Sequence, residues 1–349
     1  MLAKDTLNRK QRFLSHQLNT QYGFILVHRS SIQHFSQTHF SIFQYSLLKQ
    51  TTGNKNWEQQ YHLPRVGLNV MYTNFAHNTL LNSAFGAQAC IDFSKRNHQK
   101  SSFHFRLGCG LGYIRTPFDK ERNYKNIAIG SHWNGLVQVS LSKRFQVSPQ
   151  IETAIHVSLI HFSNGAIKVP NLGINILSGG CSFRFQAKPF TSIKKPYYRD
   201  TLRDKKILEL LVGGGLKQNY PAGSPSFGVT ALRVQGYFLV KQKKSLSAGI
   251  DLFYDNGIYA RMRNDGYANV SSKTAMQIGV NLQYQQEIGK FSIPLFWGTY
   301  AFSQYKGNGV FYHGTGLKYR INKHLTTGIL LKTHFAKADY FWWHMGYRF

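Results

Sequence analysis

The segment from His161 to Asn175, His-Phe-Ser-Asn-Gly-Ala-Ile-Lys-Val-Pro-Asn-Leu-Gly-Ile-Asn, concentrates residue types that hydrolytic chemistry uses. An imidazole near a hydroxyl can take its proton and make serine a nucleophile, and a third polar group can hold the ring in the required orientation. His-x-Ser alone is a weak sign, because the chain holds 15 histidines and the pair recurs, as in His34/Ser36, His156/Ser158 and His161/Ser163. Spacing does not choose among them, but strand facing does. Before the segment, Ile151, Thr153, Ile155, Val157 and Leu159 alternate with Glu152, Ala154, His156 and Ser158. The odd positions form an apolar face, so His156 and Ser158 read as lining on the opposite, polar face. His161 and Ser163 continue the apolar stripe and interrupt it with two polar groups whose Cβ atoms lie about 7 Å apart on a strand. Asn175 shares the parity of Leu177, Cys181, Phe183 and Phe185 on the next strand. The bland reading of the trio is polar residues at a membrane rim.

The elements that must position these groups are strands. Period-two alternation recurs from near Tyr22 to the end of the chain, as in Met276, Ile278, Val280, Leu282 and Tyr284 against Gln277, Gly279, Asn281 and Gln283. The apparent strands run about ten to sixteen residues, longer than the usual five or six and suited to crossing a bilayer at a tilt. The expectation is an all-β transmembrane antiparallel barrel of about 16 strands (14–16) closed as one, with two fused eight-stranded units as the alternative. The polar faces suit a water-lined lumen. The boundaries expected are 1–186, a basic linker 187–206 rich in Lys, Arg, Tyr and Pro, and 207–349. The two halves end alike, in Cys181-Ser-Phe-Arg-Phe185 and His344-Met-Gly-Tyr-Arg-Phe349, which suggests duplication. Phe341, Trp343, Met345, Tyr347 and Phe349 share one face of the last stretch, and the ending resembles the C-terminal assembly signal of bacterial outer-membrane barrels.

Composition excludes several classes. The chain has 349 residues with 42% hydrophobic content, too much for a disordered basic tail. No run approaches the roughly 18 apolar residues of a membrane-spanning helix. Cys90, Cys109 and Cys181 form no C-x-x-C pair and leave one over in any disulfide framework. The 43 Lys and Arg against 14 Asp and Glu, a formal charge of +29, point first to nucleic acid, but 26 Phe, 20 Tyr and 5 Trp fit a bilayer-facing wall better, and no nucleic-acid motif appears. Met1 to Asn19 carries no apolar signal-peptide core, so a barrel delivered to the outer membrane is expected to be a processed chain.

The run His161-x-Ser163-Asn164-Gly165-Ala166, followed by Pro170-Asn171-x-Gly173, resembles the active-site segment of the outer-membrane lipid A 3-O-deacylase family, and more closely its longer acyloxyacyl hydrolase relatives of Bacteroidetes-type bacteria. Gly108-Cys-Gly-Leu-Gly-Tyr113 and Asn123-Tyr-Lys-Asn-Ile-Ala-Ile-Gly-Ser131 extend the likeness over roughly residues 20 to 186. The resemblance implies Ser163 as nucleophile, His161 as general base, and an oxyanion and substrate region formed by Asn171, Asn164 and the backbone around Gly165 and Ala166. It implies lipopolysaccharide as substrate, the bacterial outer membrane as location, and no cofactor or metal. Where the best-known members carry a catalytic glutamate, this chain has Asn175, which orients the histidine but does not neutralise its charge.

Glu152 cannot replace that carboxylate, because it faces the lumen about 30 Å along the strand. In the second half Ala336 stands in the serine position and His334 has lumen parity, so that copy is expected to be inert. Arg115, Lys120, Arg122 and Lys125, in a loop expected at the same rim as the site, would meet lipid A phosphates. Asp119 and Glu121 in that loop are candidates for a bound cation or for the absent acid. The reading is an esterase that removes an ester-linked acyl chain from lipid A. The rivals are a non-catalytic channel or structural barrel and an outer-membrane phospholipase.

Overall fold

In the computed structural model the alternating segments become strands with one lipid-type face and one interior face. The structure describes residues 14–36, 38–76, 78–94, 101–187, 206–241, 243–268, 270–335 and 337–349. Ala336 and almost all of the 187–206 segment lie outside the described residues. No described helix is long and apolar enough to cross a membrane.

Eight strands close a first barrel: β1 (Leu14–Ile25), β2 (His39–Gln50), β3 (Arg65–Asn74), β4 (Ser83–Phe93), β5 (Ser101–Ile114), β6 (Trp133–Gln146), β7 (Ile151–Ser163) and β8 (Ile174–Phe185). Each pairs antiparallel with the next, and β8 returns to β1 with Leu18 opposite Phe183 and Phe24 opposite Leu177. A second barrel consists of β9 (Ile207–Gln218), β10 (Ser226–Val240), β11 (Lys244–Asp255), β12 (Met276–Ile288), β13 (Phe291–Ser303), β14 (Phe311–Arg320), β15 (Leu325–His334) and β16 (Lys337–Arg348). It closes by pairing β16 with β9, Trp343 opposite Gly214 and Arg348 opposite Glu209.

The expectation of one sixteen-stranded barrel is therefore corrected to two eight-stranded ones. Alternation is identical in both cases, because it records which face is apolar and not which strand meets the first. Closure removes every sheet edge, which a hydrocarbon solvent requires.

The water-lined lumen is corrected with it. Eight strands leave an interior just wide enough for side chains, and here those side chains interlock. At one end of the first barrel Arg65 and Arg184 pair with Glu152 at 2.9 Å, while Arg106 and Arg144 pair with Asp92 at 2.5 and 2.6 Å. Mid-barrel, Gln44 and Gln88 both bond to Gln138, and Ser140 meets Ser158 at 2.8 Å. The other end is apolar, filled by Ile25, Phe35, Phe75, Leu136, Ile160 and Phe162. Buried charges are costly unless paired, so each inward arginine finds a carboxylate, and part of the basic surplus sits inside the wall.

The second barrel uses the same device. Glu209 accepts from Lys318 at 2.6 Å and Arg348 at 3.1 Å, Arg233 pairs with Asp251 at 2.5 Å, and Lys217 pairs with Asp255 and Asp339. Arg184 and Arg348, the arginines of the two similar endings, both point inward onto a glutamate. The outward face of the last strand is aromatic as expected, with Trp343, Tyr347 and Phe349 exposed.

Candidate active site

β7 carries the outward stripe to its end. Ile155, Val157 and Leu159 are exposed, while Ile160 and Phe162 are fully buried in the apolar end of the barrel. This alternation leaves His161 and Ser163 on the outer face, half-buried by the rim. Phe162 is seated by Gly112 of β5, where a Cβ would come within 2.4 Å of the ring. Gly112, the last glycine of the Gly-x-Gly-x-Gly pattern of β5, therefore supports the site from beneath.

Register brings the third group in. His161 lies directly opposite Asn175 across the β7–β8 pair, and His161 Nδ1 meets Asn175 Oδ1 at 2.7 Å. The β7–β8 loop, residues 164–173, returns Asn171 to the serine: its Nδ2 donates to Ser163 Oγ at 2.9 Å, and its Oδ1 accepts from the Asn164 backbone N–H at 3.1 Å. A backbone N–H can only donate, so it settles which end of the Asn171 amide is the oxygen; that Oδ1 also lies 3.3 Å from the Ser163 hydroxyl, leaving Nδ2 as the closer, donating contact. Gly173, at φ +82°, passes so close to the imidazole that a Cβ would lie 2.8 Å from His161 Cε1. Only glycine leaves the His161 Nε2 edge open there.

The remaining candidates are distributed around this core. The Asn164 side chain is buried and donates to Ser131 Oγ at 2.7 Å, so it fastens the loop to the start of β6. Gly165 and Ala166 both have left-handed backbone, φ +61° and +66°. The loop between β5 and β6 pairs with the segment after Ser163: Ile129 bridges Asn171, and Gly173 N–H donates to Ala128 O at 3.0 Å. Asn123 and Asn126 tie that loop to the carbonyls of Leu80 and Thr116. Arg115, Lys120, Arg122 and Lys125 are exposed on it. Asp119 Oδ1 accepts the backbone N–H groups of Glu121 and Arg122, an arrangement that shapes the turn. No metal-type cluster occurs among the described residues.

His156/Ser158 and His34/Ser36 differ in kind. Ser158 is buried against Ser140, and His156 shares that inward face. His34 lies on a short 3-10 turn, Ser30–Phe35, with Ser36 bonded to the Gln33 carbonyl. Glu152 is engaged by arginines, and His334 is buried, bonded at 2.9 Å to Tyr300.

One participant escaped the sequence reading. His28, just beyond β1, meets Asn175 Nδ2 through its Nδ1 at 3.0 Å and the Leu172 carbonyl through its Nε2 at 3.1 Å. It lies 147 residues from Asn175 in sequence, and no motif or parity signals the contact.

Comparison with known families and structures follows the same division of the chain. A lipid A 3-O-deacylase family model matches residues 43–184, and a model for the acyloxyacyl hydrolase C-terminal domain matches residues 207–349. No curated protein matches the sequence. Among solved structures, Neisserial surface protein A aligns over 50% of this chain and 96% of its own at 9% identity and a TM-score of 0.35. A triple mutant of Rhodopseudomonas blastica porin aligns over 96% and 99% at 7% identity and a TM-score of 0.19. At these scores neither likeness bears on function.

Proposed function

The chain belongs to the lipid A 3-O-deacylase and acyloxyacyl hydrolase family, and from that premise we propose that its first barrel is an outer-membrane serine esterase that removes an ester-linked acyl chain from lipid A. The observation that carries this is the His161 Nδ1 to Asn175 Oδ1 bond of 2.7 Å on the outward face, two residues from Ser163. The amide oxygen accepts from Nδ1–H, so Nε2 keeps its lone pair and is the basic edge of the ring.

His161 Nε2 takes the Ser163 hydroxyl proton as Oγ attacks the ester carbonyl carbon. The carbonyl oxygen becomes an oxyanion, stabilised by Asn171 Nδ2–H and backbone N–H groups at Gly165 and Ala166. The intermediate collapses, the C–O bond to the leaving alcohol breaks, and His161 returns the proton to that oxygen. Water, deprotonated by the same imidazole, then cleaves the acyl-serine and restores Ser163. No step requires a cofactor. Because the site opens on the outer wall, a substrate embedded in the leaflet reaches it without leaving the membrane. Arg115, Lys120, Arg122 and Lys125 supply the cations that lipid A phosphates need.

The test is mass spectrometry of lipopolysaccharide incubated with purified parent and Ser163→Ala protein. The parent is expected to release an acyl chain, and the variant to lose at least about a thousandfold in rate. Equal rates would overturn the mechanism. Phospholipid offered alongside distinguishes the phospholipase reading, which requires it to be cut in preference. The channel reading has less support, because the described interior of the first barrel is occupied by paired side chains.

A further inference from the structure

An asparagine in the orienting position raises a problem that a carboxylate does not. A carboxylate presents an acceptor whichever oxygen faces the histidine, whereas an amide has one accepting and one donating end. Turned over, Asn175 would donate to His161 Nδ1, that nitrogen would have to hold the lone pair, and the proton would move to Nε2, the edge that must act as base. Something must hold the amide the right way round.

We propose that His28 is the positioning residue that does so, which makes His161 the end of a four-member relay. Leu172 O is a carbonyl and can only accept, so His28 Nε2 at 3.1 Å carries the hydrogen. In the neutral ring Nδ1 is then the acceptor, and Asn175 Nδ2 at 3.0 Å donates to it. That places Oδ1 toward His161, 2.7 Å from Nδ1, and leaves Nε2 of His161 as the base. One backbone carbonyl thus settles the proton positions of two imidazoles and one amide. The relay is local to the first barrel, joining the segment after β1 to the β7–β8 loop and β8. It is also specific to an amide, since an acidic residue at position 175 would not need it.

This inference rests on the serine esterase reading, but its readout does not require turnover. In protein labelled with 15N at histidine and held in detergent micelles, the His161 ring, assigned by comparison with His161→Gln, is expected to show a protonated Nδ1 and an unprotonated Nε2. His28→Ala is expected to mix the two tautomers and to lower kcat roughly tenfold, with KM unchanged. His28→Gln keeps a donor for the Leu172 carbonyl and an acceptor for Asn175, and is expected to recover most of the loss. In an Asn175→Asp background, where there is no amide to orient, His28→Ala is expected to cost less than about twofold.

An unchanged His161 tautomer in His28→Ala, or an equal rate loss in both backgrounds, would overturn the relay. Ser163→Ala is assayed in parallel. Full activity there would remove the esterase mechanism while the tautomer measurement still decides the role of His28. A dead Ser163→Ala beside an unaltered His28→Ala would remove the relay and leave the mechanism in place.

Discussion

The β7–β8 hairpin of the first barrel and the β15–β16 hairpin of the second each carry a histidine near the end of their first strand, with opposite consequences. His161 is two positions before the end of β7 on the outer face, and ten residues, 164–173, separate β7 from β8. His334 is the last residue of β15, is buried, and sits between Tyr300 and Asp339, with β16 starting at Lys337. In the first barrel the loop is long enough to return Asn171 to the serine and to lay Gly173 against the imidazole. In the second the chain turns back at once, and its histidine joins the interior network that balances Lys217 and Lys332. A histidine near a strand end thus faces outward onto a loop or inward onto an ionic network according to its parity and the reach of the loop behind it.

The comparison breaks most readily at Asn171, which has no counterpart in the shorter hairpin. Asn171→Ala is expected to lower kcat about a hundredfold with little change in KM, as removal of one oxyanion donor does; a rate within a few-fold of the parent would take the amide out of the mechanism. A smaller effect is expected from Lys120→Gln, Arg122→Gln and Lys125→Gln combined. Loss of these exposed cations should raise KM for lipopolysaccharide about fivefold at low salt and leave kcat alone, a difference that shrinks as added salt screens the pairing. A salt-independent change would mean the loop acts by shape. The smallest effect is expected at His334. His334→Gln preserves a partner for Tyr300 and should leave deacylation within about twofold of the parent, because residues without shared partners act nearly independently. A large loss would show that the second barrel contributes to catalysis.

Much of this was legible in the residues. Strict alternation before His161 distinguishes it from His156 by pattern alone, and the same parity puts Trp343 and Phe349 on the lipid side. Phe341 follows the same alternation in sequence but is only partly exposed. The roles of Gly112 and Gly173 were hidden, because a missing Cβ matters only once the neighbour it would strike is known. The inward arginines were also misread as lining a wet lumen. Alternation says that Arg106 and Arg144 face in, but not that Asp92, from another strand, meets both of them.

The features legible along the chain are local: strand faces, the outward His161 and Ser163, the basic loop between β5 and β6, and the likeness of the two endings. The facing of the strands, and with it that of His161 and Ser163, follows from the period of two, which is set residue by residue along an extended chain. Closure at eight strands, the register that sets Asn175 across from His161, and the arrival of His28 emerge only when the strands pair. Each of them depends on which distant strand pairs with which and at what offset, a relation between segments that no single segment's pattern contains.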